Sequence, residues 1–204
     1  SFESELIQSA YLRNPDEFSL MGSDFARLAK LQHYGLPTRL LDVTTNPLVA
    51  MYFACQEHSE SVLDANENEM LTQTDGAVFY RRTYCRSYND LAIKVISYLS
   101  NFDLRGETSL NTFLTELEEL GIYTHKAAEE CRSQRFRSLI DMLQHSYFVL
   151  SSMDNERLIR QSGAFLIAGQ YNISVANEHI GKSIIQRATG SLRDEFDEFV
   201  FRIP

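Results

Sequence analysis

Between positions 32 and 54 the chain gathers Gln32, His33, Tyr34, Arg39, Asp42, Thr44, Thr45 and Asn46, followed by Pro47 and an apolar run that contains Tyr52. His33 brings a side chain that changes charge near neutral pH. Arg39 brings a planar fork of N–H donors that fits a phosphate or a carboxylate. Asp42 is an acceptor, and Thr44 and Thr45 carry hydroxyls. Thr45 or Asn46 reads as a helix cap and Pro47 as the first helical residue, where backbone amides suit an anion or a ribose. Tyr34 and Tyr52 offer ring faces. Later in the chain, Arg157 and Gln161 stand one helical turn apart.

Each of these residues also has a purely structural reading. His33, close to Gly35, can bond a backbone carbonyl at a helix end. Arg39 and Asp42 can form an ion pair with each other, because buried charges need partners. Thr44 to Pro47 can be a helix cap and nothing more. Tyr52 and Phe53 can be core. Arg157 and Gln161 can tie a short helix to the 32–47 loop. The residues alone leave both sets of readings open.

Other chemistries find less support. Cys55, His33 and Asp42 are a conceivable nucleophile set, but Cys55 lies on an apolar helix, where a buried, inert thiol is the expectation. The five histidines, His33, His58, His125, His145 and His179, are strewn without ligand spacing. No GxxxxGK loop occurs. Cys55, Cys85 and Cys131 form no disulfide framework and are expected reduced and mostly buried. The net charge of −9 argues against broad electrostatic binding to DNA or RNA. No apolar run reaches the roughly 18 residues of a membrane span, and residues 1–14 lack the pattern of a signal peptide. A cytoplasmic location is the expectation.

The elements that must position the cluster are legible in part. Apolar spacing predicts helices over residues 3–12, from Ser23 to Gly35, and from Pro47 to about residue 55. The last is apolar almost all round and is expected to be buried on most sides. Residues 57–75 are acidic and read as a variable, solvated excursion whose middle has helical character. Asp75-Gly76 is a turn, and 77–80 a strand. Helices are predicted at 91–99 and 110–120, then one running from Thr124 to about 143. The Glu116, Glu118, Glu119 and Glu129, Glu130 clusters read as solvated helix faces. Strands follow at 147–150 and 164–168, with a short helix at 155–161 between them. A helix at 178–188 and a strand at 198–203 close the chain. The sum is α+β: a single mixed domain with a small antiparallel or mixed sheet and many helices.

The strings Gln32-His33-Tyr34-Gly35-Leu36-Pro37-Thr38-Arg39-Leu40-Leu41-Asp42 and Thr44-Thr45-Asn46-Pro47-Leu48-Val49-Ala50-Met51-Tyr52-Phe53-Ala54 resemble the central signature of FRG domains, a bacterial family, which more often has Trp where Val43 stands. Asp75-Gly76-Ala77-Val78 and the block from Asn155 through Arg157, Gln161, Ser162 and Gly163 to Phe165 resemble two later parts of that family. Its naming aromatic-Arg-Gly strand is expected before residue 1, and its usual tail after residue 204, so residues 1–204 are read as one FRG-like domain lacking both.

The order of motifs resembles, more loosely, the arginine-serine-glutamate class of ADP-ribosyltransferases, which implies an ADP-ribosyltransferase-like fold with NAD as substrate and no permanently bound cofactor. In that resemblance Thr44, His33 and Gln161 are the catalytic candidates. Gln32, Tyr34, Arg39, Asp42, Thr45, Asn46, Tyr52 and Arg157 would hold the ligand. Arg39 would take a phosphate, the two threonine hydroxyls a ribose or an anion, and Tyr34 or Tyr52 a ring. The alternative is a non-catalytic recognition module acting with a partner or a fused effector domain.

Overall fold

Short polar residues ahead of apolar-periodic runs start five of the helices. The computed structural model describes residues 2–57, 59–63, 69–102, 109–150, 162–169, 171–174, 184–187 and 196–201. In it the side chains of Ser23, Asn46, Asp90, Ser109 and Thr124 each accept from a backbone N–H of the first turn that follows. The chain runs α1 (Phe2–Arg13), α2 (Pro15–Ser19), α3 (Asp24–His33), β1 (Leu40–Thr44), α4 (Pro47–Ala54), β2 (Ser59–Leu63), β3 (Glu69–Gln73), β4 (Gly76–Tyr80) and β5 (Cys85–Arg86). It continues through α5 (Leu91–Leu99), α6 (Leu110–Glu119), α7 (His125–Ser133), α8 (Arg137–Gln144), β6 (Tyr147–Leu150), β7 (Gly163–Ile167), β8 (Tyr171–Ser174), β9 (Ile184–Arg187) and β10 (Asp197–Phe201). The fold is mixed α+β.

The largest sheet has the order β1-β7-β6-β5. β7 pairs antiparallel with both β1 and β6, and β5 pairs parallel with β6. β10 pairs with β4, β2 with β3, and β8 with β9, all antiparallel. Among the described residues, the buried apolar side chains form two clusters. One joins α1, α2 and α3 to the sheet through Ile7, Phe18, Leu28, Leu31, Leu40 and Phe165. The other lies among α5 to α8 around Phe113, Leu117, Leu139 and Leu143. α5 serves both: Ile93 and Ile96 belong to the first, Val95 and Leu99 to the second.

Several expectations are corrected. The acidic stretch 57–75 holds two strands, β2 and β3, that pair antiparallel, where a solvated excursion was expected; its middle, residues 64–68, for which helical character was expected, lies outside the described residues. The run from Thr124 to 143 is two helices, because Arg135 and Phe136 take left-handed backbone angles, φ +54 and +58, and turn the chain between α7 and α8. β9 occupies 184–187, where a helix at 178–188 was expected. No residue of α4 is buried, against the expectation of burial on most sides, and Cys55 at its end is exposed. Glu116 and Glu118 are not merely solvated: Glu116 accepts from the Tyr98 hydroxyl at 2.9 Å and Glu118 pairs with Arg132. The predicted helix at 155–161 lies outside the described residues. Among the described residues no helix is long and apolar enough to cross a membrane.

Candidate functional site

The hinge between α3 and α4 is built from local rules. Gly35, at φ +85, ends α3, and the Leu36 N–H reaches back to the Leu31 carbonyl at 3.1 Å, satisfying an orphan carbonyl of the last turn. Thr38 then donates its hydroxyl to the Gln32 side-chain oxygen at 2.7 Å, folding the hinge onto α3. β1 lies along β7 in strict register, Asp42 opposite Phe165 and Thr44 opposite Gly163. Thr45 follows the strand, and its backbone N–H and hydroxyl both donate to the Ser162 carbonyl, at 3.0 and 3.1 Å. Thr44 accepts the Asn46 N–H at 3.1 Å, and Asn46 caps α4 by accepting the Leu48 N–H at 3.0 Å.

This hinge borders a cleft of about 1170 Å³. Ligand pockets ordinarily run to about 300–1,000 Å³, so the space suits a ligand of dinucleotide size. Gln32 and His33 enter it from the last turn of α3, and Asp42, Thr44 and Thr45 from β1 and its exit. The α4 face carrying Pro47, Val49, Ala50, Phe53 and Ala54 forms one wall, and β4 with residues 81–83 forms another. Phe148 and Phe165 reach it from the main sheet, and Phe196 packs edge-on to Phe148 with ring centres 5.8 Å apart. The cleft is therefore bounded by both the four-stranded sheet and the β4–β10 pair. Its character is apolar with a few convergent polar groups, the usual make-up of a small-molecule site.

The expected site residues divide. Gln32, His33, Asp42, Thr44 and Thr45 line the cleft. Asp42 is exposed there and enters no ion pair among the described residues. Asn46 stands behind the wall as the α4 cap. Tyr34 lies outside the lining and donates its hydroxyl to Glu17 at 2.6 Å, a bond that raises its pKa. Tyr52 is 64 % exposed and edge-on to Phe53, so it is neither core nor cleft wall. Arg39 does not pair with Asp42. It binds Glu3 with Nε and Nη2, at 3.0 and 2.6 Å. Arg157 and Gln161 lie outside the described residues.

The structure adds residues that the sequence reading passed over. Arg81, Arg82 and Thr83 line the cleft, as do Phe79 and Phe148. A signal was present: Arg81-Arg82 are the first cations after Arg39 and follow a long acidic stretch. Cys85 also borders the cleft, and burial raises its thiol pKa, which keeps it a poor nucleophile at neutral pH. Cys55 does not border it, so the cleft does not bring Cys55 to His33 and Asp42. Among the described residues no group of His, Cys, Asp and Glu could hold a metal ion.

No curated protein and no solved structure matches the chain. Residues 2–62, the stretch that carries α3, the polar hinge and α4, match the family model of the FRG domain.

Proposed function

We propose that the cleft binds NAD or a related nucleotide, with ADP-ribosyltransferase-like cleavage of the nicotinamide–ribose bond as its chemistry. The observation that carries this reading is the convergence of Gln32, His33, Asp42, Thr44 and Thr45 on one cleft large enough for a dinucleotide. Aromatic walls at Phe53, Phe79 and Phe148 offer faces for a base or a nicotinamide ring, a role expected of Tyr34 or Tyr52. Leaving of nicotinamide develops positive charge on the ribose, as in glycoside cleavage. A carboxylate beside that sugar favours the transition state over the ground state, the only kind of contact that speeds a reaction. Asp42 is the carboxylate of the hinge, His33 can take the proton of the water or acceptor hydroxyl whose oxygen bonds the ribose carbon as neutral nicotinamide leaves, and Thr44 can hold a ribose hydroxyl.

Incubation with NAD tests this directly. Free nicotinamide should appear, and saturating NAD should raise Tm through preferential binding to the folded chain. Asp42→Asn should remove turnover with little change in Tm. No thermal shift and no nicotinamide at millimolar NAD would end the reading.

A second reading, a recognition module working with a partner or a fused effector domain, has an observation of its own. The outer face of α4 exposes Leu48, Met51 and Tyr52 at 71, 47 and 64 %, and an apolar patch of this kind marks a contact surface. A thermal shift with NAD and no release of nicotinamide would favour it.

A further inference from the structure

Gln32 reaches the cleft with its amide already oriented. It sits half-buried in the last turn of α3. The left-handed angle of Gly35 and the bond from the Leu36 N–H to the Leu31 carbonyl turn the chain back at the helix end, and Thr38 comes up against the Gln32 side chain. The Thr38 hydroxyl gives its one proton to Gln32 Oε1 at 2.7 Å and accepts the Leu40 N–H at 3.3 Å. An amide turned the other way would aim its N–H groups at an oxygen that already accepts the Leu40 N–H, and the hydroxyl proton would lose its acceptor. The Gln32 oxygen is therefore engaged. Its Nε2 makes no hydrogen bond among the described residues and is not sealed from solvent. Gln32 lines the cleft, so the open end of the amide there is a donor.

We infer that Gln32 presents a fixed N–H donor to the ligand, that Thr38 is the positioning residue that fixes it, and that the ligand meets it with an oxygen acceptor of a carboxamide, a ribose or a phosphate. The inference rests on the nucleotide reading above and states the polarity of one contact within it. A glutamine side chain that a ligand must first order costs conformational entropy on binding. Thr38 orders this one beforehand, which lowers that cost. Thr38 itself does not line the cleft, so it acts on a ligand only through Gln32. The Asp42 carboxylate, exposed in the same cleft, is an acceptor. The two residues thus ask opposite things of a ligand: an acceptor at Gln32 and a donor or positive charge at Asp42. A nucleotide, with carbonyl or phosphate oxygens and ribose hydroxyls, offers both. A bare inorganic polyanion offers no hydroxyl to Asp42.

Calorimetric titration of the whole chain with NAD and with ADP-ribose tests the assignment, in Gln32→Glu, Gln32→Ala, Thr38→Val, Thr38→Ser and the double variant Gln32→Ala with Thr38→Val. Gln32→Glu keeps the shape and an oxygen for Thr38 but sets acceptor against acceptor, and should weaken NAD by about tenfold or more. Gln32→Ala should weaken it by about fivefold, the size of one neutral hydrogen bond. Thr38→Val should weaken NAD by less than Gln32→Ala does, and Thr38→Ser, which keeps the hydroxyl, should bind more tightly than Thr38→Val. In the double variant Thr38→Val should have no further effect, because its influence passes through the Gln32 amide. Mere support of the fold would weaken binding with or without the Gln32 side chain. A Gln32→Ala loss that persists with ADP-ribose places the acceptor on a ribose or phosphate, and a loss seen with NAD alone places it on the carboxamide. If Gln32→Glu binds NAD as tightly as the unmutated chain, or Thr38→Val leaves NAD affinity unchanged or weakens it equally in both backgrounds, the assignment falls while the nucleotide reading stands. If the unmutated chain binds neither compound, both fall together.

Discussion

Arg39 sits where charge is costly. Its side chain is 6 % exposed, its partner Glu3 is 17 % exposed, and its Nη1 donates to the Ile96 carbonyl at 3.4 Å. The residue thus ties α1 to the strand entry and to the middle of α5. Removing one member of such a pair strands the other charge, at a cost of roughly 3–5 kcal/mol. Arg39→Ala is expected to lower stability in urea by about 3 kcal/mol and to leave the NAD affinity of the remaining folded protein unchanged. Replacing both charges, Arg39→Met with Glu3→Leu, should recover most of the loss, because a well-packed apolar pair replaces a buried ionic one at little cost. An Arg39→Ala protein that kept its stability and lost NAD would instead return this residue to the ligand. The residue types at the hinge were legible from the start; the partners were not. A guanidinium three residues from a carboxylate reads as a local pair, and only the packing of α1 against the hinge supplies Glu3, far away in sequence.

At the scale of elements, the break between α7 and α8 is the sharpest departure from periodicity. Apolar spacing continues across it, so the run reads as one helix, yet Arg135 and Phe136 both adopt left-handed angles. Phe136 is buried at 6 % exposure and belongs to the helical cluster. Burying that ring holds the turn in place, whereas Arg135 is exposed and contributes no comparable burial. A left-handed non-glycine residue costs about 1–2 kcal/mol, and a glycine's extra chain entropy costs about 0.5–1 kcal/mol. Arg135→Gly should therefore stabilise the protein by roughly 0.5 kcal/mol in chemical denaturation, while Phe136→Gly should destabilise it through lost burial. A drop in stability for Arg135→Gly would mean that its side chain secures the turn. The same contrast explains what the sequence disclosed of the fold. Helices with a polar cap and a clear stripe, such as α3, α5 and α6, were legible because cap and stripe agree. β2, β3 and β9 were not, because each mixes polar and apolar residues without a clean alternation and its pairing depends on another strand. α4 was misjudged for a different reason: it is apolar on two faces, one lining the cleft and one open, and composition alone cannot distinguish that from burial.

For the molecule as a whole, the question is whether the cleft side and the helical side fold as one. α5 decides it. Ile93, Val95, Ile96 and Leu99 are all fully buried, and they divide between the two apolar clusters. Arg39 adds a polar tie to the same helix. A helix buried on opposite faces cannot leave one cluster without exposing apolar surface in the other, at about 25 cal/mol per Å². Ile96→Ala, on the cleft side, and Leu114→Ala, on the helical side, should each cost about 2–5 kcal/mol. Each should shift one common urea transition, seen alike by far-ultraviolet circular dichroism and by tyrosine signals, as a single cooperative unit requires. NAD binding should vanish across that same transition in both variants, because the hinge has no support apart from the shared core. If Leu114→Ala melted α6 to α8 at a lower urea concentration and left NAD binding intact, the two clusters would be independent units and α5 no more than a neighbour of each.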